Sequence, residues 1–469
     1  MYKRTQKSIP HKSGRLALIV GLGLALLACF KVSAEVASET SDEVDYFTNN
    51  GYSNTVGTMQ HPAGEYYKGV TYVAYQGPLE DPYVAAYEHA TGKWSGPFKA
   101  GESILGKTPG AKIDNHGKPA LIVDGEGYIH LVFGGHGGLP RHGTNELGNT
   151  HNGQMIHVVT KRPRDISEWE VLDNITPFGT YNQFVKMENG NIYLFYRHGA
   201  HRSNWVYQKS SDNGRSFGPE ISVLKHQART DTPGIHDSWY AWFTNGQGNE
   251  IIAAYNYHRC REPNHNGQRH NGYYMVMDTA DHGWRNAKGE SLTVPVTKDY
   301  ADEMTLVADT GDLWTVRGVT ALDPTGKPHA TFEVGEGMGL HHGGPKQTSH
   351  YRWTGQEWVT GGSTEVPISA VGDMLVSSPT EVSLLLGGDE VAWWHSKDGG
   401  KSFIKGETLI KREKTRFALS SMIRNAHPDA RVIAAGNNRA DKNLFREMYL
   451  LGDDGPVKRL KAGANNLDE

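Results

Sequence analysis

Hydrophobic and polar residues alternate along short stretches of this chain, and Gly, Asn and Asp bound each stretch. Residues 68–75 (KGVTYVAY), 128–133 (YIHLVF), 191–197 (NIYLFYR), 250–257 (EIIAAYNY) and 390–395 (EVAWWH) are examples. A period of two sends successive side chains to opposite faces, so each stretch is expected to form a strand with a turn at either end. Almost no stretch carries the period of 3.6 that an amphipathic helix needs. No Pro- or Ser-rich linker divides the pattern, so residues 35–469 are expected to form one all-β domain, with a frayed tail from Lys458.

The turns repeat. Ser210-Ser-Asp212-Asn-Gly214-Arg-Ser-Phe217 and Ser396-Lys-Asp398-Gly-Gly400-Lys-Ser-Phe403 share the pattern S-x-D-x-G-x-x-F, each after a strand. This is the Asp box, a hairpin turn with an inward aromatic, found in the blades of β-propellers. Looser turn-plus-aromatic units fall near Trp94, Trp169, Trp284 and Trp358. Their spacing is irregular, which implies long insertions between some strands. Six or seven blades fit this pattern, and a sandwich of repeated hairpins is the alternative.

Composition agrees with sheets: 56 Gly punctuate turns, while 22 Tyr, 11 Trp and 13 Phe suit pleated surfaces. The first 34 residues read differently. Lys3, Arg4, Lys7, Lys12 and Arg15 precede the apolar run 16–30, and Val32-Ser33-Ala34 supplies a small-residue cleavage site. This is a secretory signal with cleavage expected after Ala34. Leu26-Leu27-Ala28-Cys29 also resembles a lipobox, which would make Cys29 an acylated first residue. Losing residues 1–34, with six Lys and Arg and no acid, takes the net charge from −4 to −10. So acidic a protein has no general attraction for nucleic acid or an anionic membrane, and an anionic substrate would need a local basic cleft. The remaining cysteine, Cys260, cannot form a disulfide within one chain. It is either a buried apolar residue or a ligand.

Residues 115–201 carry candidate chemistry. Tyr181–Met187 and Asn191–Arg197 flank Glu188-Asn189-Gly190, a three-residue hairpin loop with Gly at its left-handed position. In that register Met187 faces Asn191 and Tyr181 faces Arg197, on one face roughly 5 Å apart. The same loop type at Gly125-Glu126-Gly127 sets Asp124 opposite Tyr128 and His116 opposite His136. A His–Tyr–Arg cluster suits elimination β to a uronate carboxylate. Arg neutralises the carboxylate, a base takes the C5 proton, and an acid protonates the departing O4. Tyr can donate to that oxygen, or serve as base if Arg lowers its pKa from about 10. With 23 His in the chain, two falling opposite each other is also compatible with chance.

The sequence resembles the ulvan lyases of polysaccharide lyase family 25 along nearly the whole mature chain. The resemblance rests on Tyr87-Glu-His89-Ala-Thr-Gly-Lys-Trp94-Ser-Gly-Pro97, Asn115-His116-Gly117, Gly134-Gly135-His136-Gly137, Tyr181 and Tyr196-Arg197-His198-Gly199. It implies an all-β, seven-bladed β-propeller in a single domain, with the site at one end of the central axis. It implies cleavage of ulvan between sulfated rhamnose and glucuronate or iduronate. His116 and Tyr181 would share the base and acid roles, Arg197 would neutralise the carboxylate, and His136 would support binding or catalysis. The resemblance further implies a structural zinc. His258 and Cys260 share a strand face, and with His201 and His270 they would make a His₃Cys set suited to closed tetrahedral zinc. His265 could replace His270. Tyr240, Arg317 and Trp239 are candidates to line a sugar cleft. An isolated propeller needs no partner to close its sheet edges, so a monomer is expected.

Two other readings compete. A sialidase-like hydrolase would also carry Asp boxes, but no Arg-Ile-Pro-type motif stands near the mature N-terminus. A non-catalytic carbohydrate-binding propeller would not need an Arg beside a Tyr and two His. A lyase for another uronate polymer shares the chemistry and differs only in its subsites.

Overall fold

The computed structural model describes residues 42–465, apart from residues 58, 108–112, 262–266, 338–345, 362–365, 367–370 and 439–443. The expected signal and lipobox, residues 1–34, therefore lie outside the described residues. The alternating stretches are strands, as expected: Val70–Gln76, Ile129–His136, Ile192–Arg197, Glu250–Arg261 and Glu390–Ser396. Four antiparallel sheets have the four-stranded blade form. They begin at Ala120–Val123, Thr180–Lys186, Trp314–Leu322 and Val371–Val376.

The expectation of seven separate blades is corrected here, because the propeller arrangement shows four four-stranded blades among the described residues. The other strands pair differently. Ile235–Asn245, Glu250–Arg261 and Arg269–Asp278 belong to a seven-stranded sheet. Gly64–Tyr67 and Thr415–His427 merge two antiparallel groups into a nine-stranded sheet through one parallel pair, Glu65 with Arg424. The turn repeats set strand identity but carry no information on which strands bond across a boundary. The strand Thr48–Tyr52 pairs with Phe445–Gly452, so both ends of the described chain are held in one sheet.

The two Asp boxes do the same work at two places. Ser210 and Ser396 each donate to the box aspartate, at 2.7 and 2.8 Å, and accept from the N–H of Gly214 and Gly400. Each box covers a buried histidine pair, His130 with His157 and His329 with His350, both 3.0 Å apart. Gly214 has φ +77°, and a Cβ there would meet the His130 ring at 2.9 Å, so the box needs glycine. A second repeat accompanies the first and was not read from the sequence. Asp124 and Asp323 each cap a turn leading to the first histidine of the pair, in a D-x-x-G-x-x-H pattern.

Candidate active site

The hairpin registers hold at their loops. Met187 N–H donates to Asn191 O at 2.9 Å, and Asp124 N–H to Tyr128 O at 2.9 Å. They slip by the time they reach the site. A bulge between Thr180 and Gln183 places Thr180, not Tyr181, opposite Arg197. Tyr181 takes a left-handed backbone, φ +61°, which costs a non-glycine residue about 1–3 kcal/mol. The bulge still brings the pair together, because the Arg197 guanidinium carbon lies 4.9 Å from the Tyr181 ring centroid. A second bulge, between Phe133 and Gly135, bends the end of the other hairpin. There Gly135 packs against the carbonyl of Gly179, where a Cβ would approach to 2.3 Å, and His136 comes alongside the Tyr181 strand.

His116 lies before the strand Ala120–Val123 rather than in it, yet its ring stacks on His136 at 3.7 Å. His151 stacks on the other face of His136 at 4.5 Å. Asp114 organises this stack: its two carboxylate oxygens accept from Nδ1 of His116 at 2.6 Å and Nδ1 of His136 at 2.5 Å. A carboxylate only accepts, so both rings carry a proton on Nδ1. Burial would raise the Asp114 carboxyl, but its hydrogen bonds to the two histidines hold it well below the usual range. Burial lowers His116 from 6.5 to about 4, against the upward pull of Asp114. His116 is thus a neutral base at pH 7. Burial raises the Tyr181 phenol, reinforced by Tyr240 and opposed by Arg197 and Arg269, and keeps it protonated. The His116 and Tyr181 rings are 5.6 Å apart.

Arg197 is fully buried, and none of its three guanidinium nitrogens has a hydrogen-bond partner among the described residues. Two aromatic faces flank it, Tyr181 at 4.9 Å and Tyr240 at 5.5 Å. A buried cation without an anion is costly. Arg269 lies 3.9 Å over the Tyr240 ring and adds a second cation.

The chain is similar to known proteins. The BNR repeat-containing family matches residues 146–363. An ulvan lyase of Nonlabens ulvanivorans is 49% identical and covers 96% of this chain and 98% of its own. The chain belongs to the ulvan lyases of polysaccharide lyase family 25. An ulvan lyase of this family from Pseudoalteromonas sp. (strain PLSV) is 48% identical, over 90% of this chain and 89% of its own. A solved structure of a family 25 ulvan lyase bound to -[GlcA(1-4)Rha3S]- matches with a TM-score of 0.85 at 47% identity, covering 90% of this chain and all of that one. The polysaccharide lyase Uly1 shares the fold alone, with a TM-score of 0.62 at 14% identity, over 84% of this chain and 90% of that one.

In this family member the sequence-derived candidates divide. His116, His136, Tyr181, Arg197 and Tyr240 converge. Trp239 does not, and its assignment to the cleft is corrected. Adjacent residues on a strand face opposite ways, so Trp239 turns into the core against Tyr255 and Tyr273 while Tyr240 faces the site. Arg317 is in a strand, but its side chain lies outside the described residues. Sequence reading missed Asp114, His151 and Arg269. The first had a signal, an acid two residues before a candidate base.

The zinc candidates assemble only partly. His201 and His258 are neighbours, with rings 5.7 Å apart, and Cys260 follows His258 on the same strand face. His270 pairs with Tyr257 on the opposite face, and its ring meets the Leu313 carbonyl at 3.2 Å. The donor chemistry of His201, His258 and Cys260 suits zinc, whereas His270 lies on the strand face opposite His258 and Cys260. His265 lies outside the described residues.

Proposed function

We propose that this chain is a polysaccharide lyase that cleaves ulvan by β-elimination at the uronate C4–O bond next to sulfated rhamnose, leaving an unsaturated uronate end. The observation that carries this reading is Arg197, a buried guanidinium whose three nitrogens have no partner among the described residues, set between Tyr181 and Tyr240. A uronate carboxylate placed there is neutralised, and negative charge building at C5 in the transition state is stabilised. His116 Nε2, held neutral and aimed by Asp114, takes the C5 proton. Tyr181, held protonated, donates to O4 as the bond breaks. His136, fixed by the same carboxylate, supports the sugar beside it. Arg269 and Tyr240 lie further along the site and suit a sulfate and a sugar face.

Incubating the purified protein with ulvan, beside pectin, alginate and a sialoside, tests the reading by ultraviolet absorbance. Elimination leaves a C4–C5 double bond conjugated to the carboxylate, which absorbs, and hydrolysis leaves none. A rise with ulvan supports the proposal. A rise only with another uronate polymer keeps the mechanism and changes the substrate. No rise from folded protein leaves a binding module.

Two further expectations join the proposal. Export with cleavage after Ala34 would give a mature chain starting at Glu35, whereas acylation would start it at Cys29; mass spectrometry of the exported protein separates the two. A structural zinc would rest on His201, His258 and Cys260, its fourth ligand His265 or a reoriented His270. One zinc equivalent that is present in the native protein and lost in Cys260→Ser supports this, and a zinc content unchanged in that variant removes it.

A further inference from the structure

Among the described residues, two groups of three side chains bring metal-ligating atoms within 4.8 Å of one another. One is Asp114, His116 and His136, already described. Its spacings of 2.5 and 2.6 Å are those of hydrogen bonds, so both Nδ1 atoms are committed to the carboxylate. The other, His89, His427 and Asp429, lies in the nine-stranded sheet and has a different geometry. His89 Nδ1 is 3.9 Å from Asp429 Oδ2, and His427 Nδ1 is 3.5 Å from the same oxygen; the hydrogen bond there that a cation would displace is a long one, from the Asp429 N–H to His427 Nδ1 at 3.2 Å. The two rings are 4.2 Å apart. Ligands about 2.0–2.1 Å from a tetrahedral zinc stand roughly 3.3 Å from each other, so these gaps are close to those of a coordination shell.

The His89 side chain supplies an independent observation. It is 9% exposed, and its Nδ1 is buried with no hydrogen-bond partner. The other ring nitrogen, Nε2, meets the Thr71 hydroxyl at 2.8 Å. If Nε2–H donates to that oxygen, Nδ1 is left as a bare lone pair aimed at His427 and Asp429. Metal-binding histidines are oriented in this way by a partner on the far nitrogen. Asp429 is 66% exposed, leaving room for water to complete the shell.

We infer that His89, His427 and Asp429 form a binding site for a zinc-class divalent cation, separate from the active site. The site would act as a staple. His89 follows the strand Pro82–Glu88, and His427 and Asp429 flank the tight turn between Thr415–His427 and Ala430–Asn438. The backbone ladder joining these two groups of strands is the single parallel pair of Glu65 and Arg424. A cation on both sides of that junction stabilises the folded sheet because the unfolded chain cannot hold the three ligands together.

The test uses the full chain, stripped of metal with a chelator and titrated with Zn²⁺ by calorimetry at neutral pH. The variants are His427→Ala and Asp429→Asn, both on the exposed turn, with circular dichroism to check folding and Cys260→Ser as a control. The inference expects one zinc equivalent that persists in Cys260→Ser and weakens by more than about tenfold in both turn variants. It also expects zinc to raise the thermal midpoint of the unaltered chain more than that of the variants. Co²⁺ at this site should show no thiolate charge-transfer band. Zinc binding unchanged in both turn variants overturns the inference, as does an unaltered chain that binds no zinc outside the Cys260 site.

Discussion

Replacing Arg197 by Met separates function from stability. The substitution keeps the length of the side chain and removes the charge. In the folded protein the guanidinium is fully buried and its three nitrogens find no acceptor. An unsatisfied buried polar group costs about 1–3 kcal/mol, and more when charged. The two aromatic faces at 4.9 and 5.5 Å return about 0.5–2 kcal/mol each. Taking about 3–5 kcal/mol for the uncompensated buried charge against a return of about 1–4, Arg197→Met should be no less stable than the native chain, with a thermal midpoint level or raised by a few degrees. Activity moves the other way. Losing the group that stabilises charge at C5 should lower kcat about 10²–10³-fold. Urea unfolding and the absorbance of the unsaturated product, measured on one preparation, read both effects. A dead variant that is also less stable would make Arg197 a structural residue. A stable variant within tenfold of native activity would refute its role in neutralising the carboxylate.

Tyr181→Phe should lower kcat about 10²–10⁴-fold with the thermal midpoint within a degree or two, because only the phenol proton is lost; product absorbance and a melting curve check it. Asp114→Asn should cost at least about tenfold in kcat by releasing the Nδ1 protons of His116 and His136, while leaving KM nearly unchanged. Because the Asp114 carboxyl is held below its unfolded value, the stability it contributes is present above about pH 4 and lost as pH falls below that. Unfolding of the Asn variant and the native chain at pH 7 and pH 3 should therefore differ more at the higher pH. His116 has the opposite burden: unfolded it takes a proton below 6.5, folded only near 4, so stability declines as pH drops between those values. The same shift places the acid limb of kcat/KM near pH 4–5, and a limb at pH 6–7 would refute His116 as the neutral base.

Much of this protein is legible in its sequence. Alternation along short stretches determined strands at the expected places, since one face of each sheet must be buried. The Asp boxes determined that turns repeat, because a serine, an aspartate and a glycine close one local hydrogen-bond pattern whatever surrounds them. The hairpin loops were right for the same local reason. What local pattern cannot carry is the accumulated register. A bulge at Thr180–Gln183 moved Arg197 from opposite Tyr181 to opposite Thr180, and only the tertiary contact, with the guanidinium 4.9 Å from the Tyr181 ring, shows that the pair still meets. The blade count failed likewise, because pairing across a boundary, as between Glu65 and Arg424, joins residues hundreds of positions apart. Tertiary structure alone decided that Asp114 aims both histidines, that Trp239 belongs to the core, and that Arg197 is buried without an anion. Each of these depends on which chain segments surround a side chain, and burial and hydrogen bonding across distant segments leave no periodic trace in the sequence.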